Sequence, residues 1–98
     1  MAERVVLQMT VEPETRRELI AITHDILRET RAYPGCTYAA VWIPQDDDGA
    51  LWTVLGWETR EHFHAYTAWR RETGSMERLR PFLRGPPKIV WIRQAVEE

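Results

Sequence analysis

The sequence predicts an α+β fold, one antiparallel sheet carrying two helices, and three observations lead there. The hydrophobic period switches between 2 and 3.6 in the order strand, helix, strand, strand, helix, strand. The second, third and fourth strands alternate with bulk on both of their faces, so something must cover each side of the sheet. The chain has 98 residues, which is room for one core, so residues 1–98 are expected to form one domain.

Val5 to Val11 is the first strand, with Val5, Leu7, Met9 and Val11 on one face and Val6, Gln8 and Thr10 on the other. Pro13 starts a helix whose inner stripe is Leu19, Thr23, Ile26, Leu27 and Thr30, and Pro34-Gly35 ends it. His24 lies off that stripe and is expected in solvent. Thr37 to Ile43 is the second strand; Thr37, Ala39, Val41 and Ile43 share one face, Tyr38, Ala40 and Trp42 the other. Pro44 to Gly49, with three adjacent aspartates, reads as a hairpin connection, because Asp and Gly suit turn geometry. A calcium site is not expected: adjacent carboxylates lack the alternating ligand spacing and the distal Glu of a calcium loop.

The third strand, from Ala50, sets Leu51, Thr53, Leu55 and Trp57 against Trp52, Val54 and Gly56. Thr59 is the expected N-cap of a helix reaching about Arg71, with Phe63, Tyr66 and Trp69 on its inner face, His62 and Arg70 at the margins and His64 opposite. Thr73-Gly74 breaks the chain, and Ser75 caps a short helical piece carrying Met76, Leu79, Phe82 and Leu83, interrupted by Pro81. Gly85-Pro86-Pro87 then leads into a last strand, Lys88 to Val96. This order is that of a ferredoxin-like βαββαβ sandwich with both main helices on one face. Tyr38, Trp42 and Trp52 fall on the other face, which the helices do not reach. A homodimer pairing two such faces, a dimeric α/β barrel with helices outside, is the expected assembly.

Composition excludes several functions. Thirteen basic and 15 acidic residues give a formal charge of −2, without the basic surplus that phosphate contacts demand, so no nucleic-acid partner is expected. The N-terminus has neither the pattern of a signal peptide nor a membrane-spanning run, so a cytoplasmic protein with no membrane partner is expected. Cys36 is the single cysteine, which rules out an intrachain disulfide and a multi-cysteine metal site. No Ser-His-Asp set, glycine-rich phosphate loop or Cys/His cluster is evident, which removes hydrolase, nucleotide and zinc readings.

Three short stretches in order, Tyr33-Pro34-Gly35-Cys36, Trp57-Glu58-Thr59-Arg60-Glu61 and Leu83-Arg84-Gly85-Pro86-Pro87, resemble the antibiotic biosynthesis monooxygenase (ABM) family of small dimeric α/β-barrel proteins. The family mixes cofactor-free oxygenases of phenols and anthrones, quinol monooxygenases, heme-degrading enzymes and uncharacterised members. The resemblance implies that Trp57 lines a pocket between sheet and helices. It also shows departures. Thr53 and Phe63 stand where anthrone-oxidising relatives have Asn and Tyr, and Thr67 and Leu7 stand where heme-degrading relatives have a ligand His and an Asn. Heme degradation is therefore not expected.

What the resemblance implies is a monooxygenase that joins dioxygen to a small aromatic phenol, anthrone or quinol with no cofactor and no metal. Dioxygen is a triplet and reacts slowly with closed-shell molecules, so such a substrate must become an electron-rich anion. On this reading Leu7, Met9, Trp57 and Phe63 form apolar walls, Thr53 contributes a weaker polar contact, His62 is the base, Tyr66 positions the substrate by hydrogen bonding, and Arg78 supplies positive charge. The alternative is a non-catalytic dimeric protein that binds an aromatic ligand or serves as an accessory to another enzyme.

Overall fold

A computed structural model describes residues 2–96. Four strands, β1 (Glu3–Thr10), β2 (Cys36–Trp42), β3 (Ala50–Trp57) and β4 (Lys88–Ile92), and two helices, α1 (Arg16–Ala32) and α2 (Arg60–Thr73), follow one another as βαββαβ. The sheet order is β2-β3-β1-β4, with every neighbouring pair antiparallel. This is the ferredoxin-like arrangement.

Register assigns the faces. Val5 lies between Leu55 and Trp91, and Leu7 between Thr53 and Ile89, while Ala39 and Val41 pair with Leu55 and Thr53. These residues look toward the helices, since side chains alternate along each strand. Two apolar clusters fill the space between the layers. One gathers Val5, Leu27, Ala39, Leu55, Trp57, Phe63 and Tyr66; the other gathers Met9, Val11, Leu19, Ile26, Leu51 and Leu79. The buried residues of α1 are Leu19, Thr23, Ile26, Leu27 and Thr30, the stripe the helical period requires, and His24 is exposed.

The local signals explain where elements begin and end. Pro13–Thr15 forms one 3-10 turn before α1, so the regular helix starts three residues later than the proline suggests. Thr59 caps α2, its side chain accepting from the His62 backbone N–H. Gly74, at φ 69°, closes α2, a conformation that glycine adopts without a Cβ penalty. In the hairpin, Asp47 Oδ1 accepts from the Gly49 backbone N–H at 2.9 Å, the turn role expected of Asp. Among the described residues no group of three or more His, Cys, Asp and Glu side chains is placed to hold a metal ion.

Three expectations are corrected. β2 starts one residue earlier and stops at Trp42, because a register shift between Cys36 and Tyr38 lets Cys36 pair with Trp57. The short helical piece after Gly74 is present as two 3-10 turns, Ser75–Arg78 and Arg80–Phe82, that meet at Leu79, but Ser75 does not cap it: Gly74 holds that position with no side-chain bond. β4 ends at Ile92 rather than Val96, which is 71% exposed. Arg4 pairs with Ile92, and β1 extends only one residue beyond Arg4, so a longer β4 would have no partner.

On the face away from the helices lie Tyr38, Trp42 and Trp52. Trp42 pairs with Trp52 and Tyr38 with Gly56; the Trp42 indole N–H donates to Tyr38 Oη at 3.2 Å, and the Arg4 guanidinium sits 4.5 Å from the Tyr38 ring centre. Trp42 is 53% exposed. No helix of the described residues is long and apolar enough to cross a membrane.

Candidate functional site

Between the sheet and the two helices lies a cavity of about 660 Å³. Leu7, Met9, Thr53 and Leu55 form its floor, α1 contributes Thr23, Ile26 and Leu27, and α2 contributes Phe63, Tyr66, Thr67, Arg70 and Arg71. The 3-10 turns and the Gly85-Pro86-Pro87 stretch complete the mouth, with Met76, Glu77, Leu79 and Arg80 on its rim. Its walls are mostly aliphatic and aromatic, with few polar groups, as small-molecule sites are.

One polar assembly borders this cavity, and the sequence reading missed its centre. Arg70 is only 3% exposed, although a charged residue at the margin of an amphipathic face is ordinarily solvated. All five of its N–H donors are used. Nε donates to Tyr66 Oη at 2.8 Å; one terminal nitrogen donates to Glu29 and Ser75, both at 2.9 Å; the other donates to the Ile26 carbonyl at 2.9 Å and to Thr30 Oγ1 at 3.1 Å. Tyr66 and Thr30 hydroxyls are 2.7 Å apart, and Thr30 Oγ1 donates to the Ile26 carbonyl at 3.3 Å. With Tyr66 donating to Thr30, every hydroxyl proton has a place. The guanidinium also lies 4.7 Å from the Trp69 ring centre. Arg70 thus pins α2 to α1. A signal existed in the chain: Phe63, Tyr66 and Arg70 follow one another at helical spacing, so Arg70 belongs to the inner stripe.

The expected site residues divide. Leu7, Met9, Thr53, Phe63 and Tyr66 all line the cavity, whereas Trp57, His62 and Arg78 are outside its wall. Trp57 is fully buried and packs behind the wall, its ring centre 5.0 Å from Tyr66 and 6.1 Å from Phe63; its indole nitrogen has no hydrogen-bond partner. His62 is turned to the start of α2. Its Nδ1 lies 2.7 Å from Thr59 Oγ1, its Nε2 lies 3.9 Å from the Glu58 carboxylate, and its ring packs over Gly35 so closely that a Cβ there would fall 2.2 Å from it. Arg78 is exposed and pairs with Asp25 at 3.4 Å.

Two ionisable groups away from the cavity are perturbed. Burial pushes the Cys36 thiol above its ordinary range, opposed by the Tyr38 backbone and by the charge of Arg31. Glu12 is held below the usual carboxylate range by its hydrogen bonds with Arg84.

Topology and cavity together define a ferredoxin-like α+β protein with a partly open, mainly apolar chamber between sheet and helices. Residues 4–71 match the antibiotic biosynthesis monooxygenase family, and the chain belongs to that family. Solved structures agree on the fold. A conserved protein of Methanosarcina mazei superposes with a TM-score of 0.82 at 20% identity, covering 96% of this chain and 93% of its own. A protein described as an antibiotic biosynthesis monooxygenase gives 0.79 at 19%, covering 98% and 100%. A protein of Mycobacterium tuberculosis gives 0.79 at 18%, covering 99% and 98%. No protein of curated function matches the sequence.

Proposed function

We propose that the chain is a cofactor-independent monooxygenase that takes an aromatic phenol, anthrone or quinol into the cavity and oxidises it with dioxygen. The observation that carries this reading is the chamber itself: about 660 Å³, within the range of small-molecule sites, with an aromatic side and few polar groups. For an anthrone the reaction balances without an external electron donor. The substrate gives a proton to water at the mouth and becomes an enolate, the enolate gives its electrons to dioxygen, and on reprotonation the ring methylene and O2 become a carbonyl and water. A mainly apolar chamber filled by the substrate favours this step because it removes water from the anion and from the reactive oxygen intermediate. Within the chamber, Tyr66 and Thr53 are assigned to positioning, and Arg71 at the mouth to attracting the anion. His62 is assigned to the start of α2 rather than to proton transfer.

A second reading, binding without turnover, is supported by the Tyr66 hydroxyl, which already accepts from Arg70 and lies beside Thr30. Oxygen consumption separates the two. The protein, stripped of metal and flavin, is assayed against a panel of such phenols. Turnover above the spontaneous rate, lowered at least about tenfold by Tyr66→Phe and little changed by His62→Ala, is the expected result. Saturable binding with no turnover on any compound would leave the second reading standing.

The same proposal includes a homodimer through the Tyr38, Trp42 and Trp52 face. Trp42 alone, at 53% exposure, leaves roughly 130 Å² of a side chain that buries up to about 250 Å² in water. A second copy removes that surface from solvent on both sides. Trp42→Glu is expected to give monomer in sedimentation; a monomeric, well-folded wild type at micromolar concentration would refute the assembly.

A further inference from the structure

The polar groups that line the cavity are almost all committed to one another. Arg70 uses its five donors, Tyr66 and Thr30 satisfy each other, Thr67 donates to the His64 carbonyl at 2.9 Å, and Glu77 and Arg80 pair at 2.8 Å. Thr53 and Arg71 stand outside that network, and of the lining groups Thr23 alone has a fully buried atom without a partner. It is 3% exposed, it lines the cavity, and its Oγ1 is buried with no hydrogen-bond partner. The contrast lies within one helix. Thr30 sits seven residues further along the same stripe and donates to the carbonyl four residues back, at 3.3 Å, the usual way for a helix to satisfy a threonine. Thr23 does not, although a buried hydroxyl left unpaired is unfavourable.

The two threonines are about 10 Å apart along the helix axis, given a rise of ~1.5 Å per residue. Arg71 is also distinctive. It is exposed at the cavity mouth and takes part in none of the ion pairs among the described residues.

We propose that Thr23 is a specificity-determining residue: its hydroxyl hydrogen-bonds a neutral oxygen, a hydroxyl or carbonyl, at the buried end of a flat aromatic ligand whose anionic end faces Arg71. This rests on the reading of the cavity as the binding site, and it adds the polarity of the ligand from end to end. A ligand with one oxygen function would leave Thr23 unpaired and bind more weakly. A ligand with two, at opposite ends of a fused ring system, satisfies both.

The test uses two probes that differ in one hydroxyl, 2-naphthoate and 6-hydroxy-2-naphthoate, titrated against the full chain by fluorescence or calorimetry. The wild type is expected to bind the hydroxylated probe about five- to tenfold more tightly, the size of one net hydrogen bond. Thr23→Val, which keeps the shape and removes the hydroxyl, is expected to reduce that ratio to about one while leaving 2-naphthoate binding unchanged. Arg71→Gln is expected to weaken both probes by the same factor. A Thr23 that served only the packing of α1 would change the melting temperature in Thr23→Val and leave the ratio as it was, which overturns the proposal. Leu7→Trp, which fills the floor of the chamber, separates this failure from that of the underlying reading. Loss of both probes in Leu7→Trp with an unchanged ratio in Thr23→Val refutes Thr23 alone. Binding that survives Leu7→Trp, or no binding to the wild type, refutes the cavity as the site and Thr23 with it.

Discussion

Replacing Arg70 should cost less stability than removing the groups that surround it. Arg70→Met forfeits three buried hydrogen bonds, to Tyr66, Ile26 and Thr30, each worth about 1 kcal/mol net. It also relieves the desolvation of a guanidinium that is 3% exposed, a cost of several kcal/mol in a protein interior. The groups left behind are not stranded: Tyr66 can still donate to Thr30 and Thr30 to Ile26, and Glu29, whose side chain is 64% exposed, returns to water. The two effects nearly cancel, and a change within about 1 kcal/mol is expected. The double variant Thr30→Val/Tyr66→Phe is the opposite case, because it leaves Nε–H and one terminal N–H of a buried cation without acceptors. At roughly 1–3 kcal/mol for each orphaned donor it should lose about 3 kcal/mol, or about 12–24 °C in Tm for a domain of this size. Adding Arg70→Met to that double variant should then restore stability. Urea and thermal unfolding followed by circular dichroism measure all four proteins. A triple variant no more stable than the double, or an Arg70→Met loss above about 3 kcal/mol, would refute the reasoning.

Two further outcomes follow from geometry and charge. Gly35 has φ +90°, and an added Cβ would meet His62 Cδ2 at 2.2 Å and His62 Cβ at 2.7 Å, so Gly35→Ala should destabilise by about 2 kcal/mol or more; His62→Ala should recover only part of this in unfolding experiments, because the His62 Cβ remains. The Glu12 carboxylate, lowered by its hydrogen bonds with Arg84, contributes stability that is present above its unfolded pKa and lost as pH falls through its folded one. NMR titration should place its midpoint below the ordinary glutamate value, Arg84→Ala should return it there, and added salt should shrink the difference.

The residues explain how far the fold and site could be read in advance. The α1 stripe was legible because five inward positions at helical spacing overdetermine a face, and the faces of β3 were legible because Trp52 and Leu55 cannot exchange sides without moving the whole strand. The end of β4 was not, since alternation continues past Ile92 while the length of its partner is set elsewhere in the chain. Arg70 was misplaced because hydropathy reads a guanidinium as solvent-facing; only the count of acceptors that two helices bring together shows that it can be buried. Strand and helix faces placed Leu7, Met9, Thr53, Phe63 and Tyr66 inward, and the family resemblance implied a pocket there. The orientation of His62 depended on Thr59 and Gly35, a local packing detail with no periodic signature. Thr23 was recognised as inward from its period, but whether its hydroxyl would find a partner depended on the space in front of it.

The mouth of the chamber has a different origin from its floor. Floor and helical walls fall within residues 4–71, the stretch matched to the family, whereas Gly74, Met76, Glu77, Leu79, Arg80, Leu83 and the Gly85-Pro86-Pro87 stretch come after it. That later segment is folded by its own short-range bonds, Glu77 to Gly74, Leu79 to Met76 and Phe82 to Leu79, and is tied to the sheet by Leu83 opposite Val11 and by the Arg84 N–H on the Thr10 carbonyl. Frame and aperture are therefore separable parts. Residues 76–87, apart from Leu79, which belongs to the second apolar cluster, form a cassette that protein engineering can exchange between relatives to recut the entrance, while the sheet and the Arg70 assembly, Ser75 included, stay as they are.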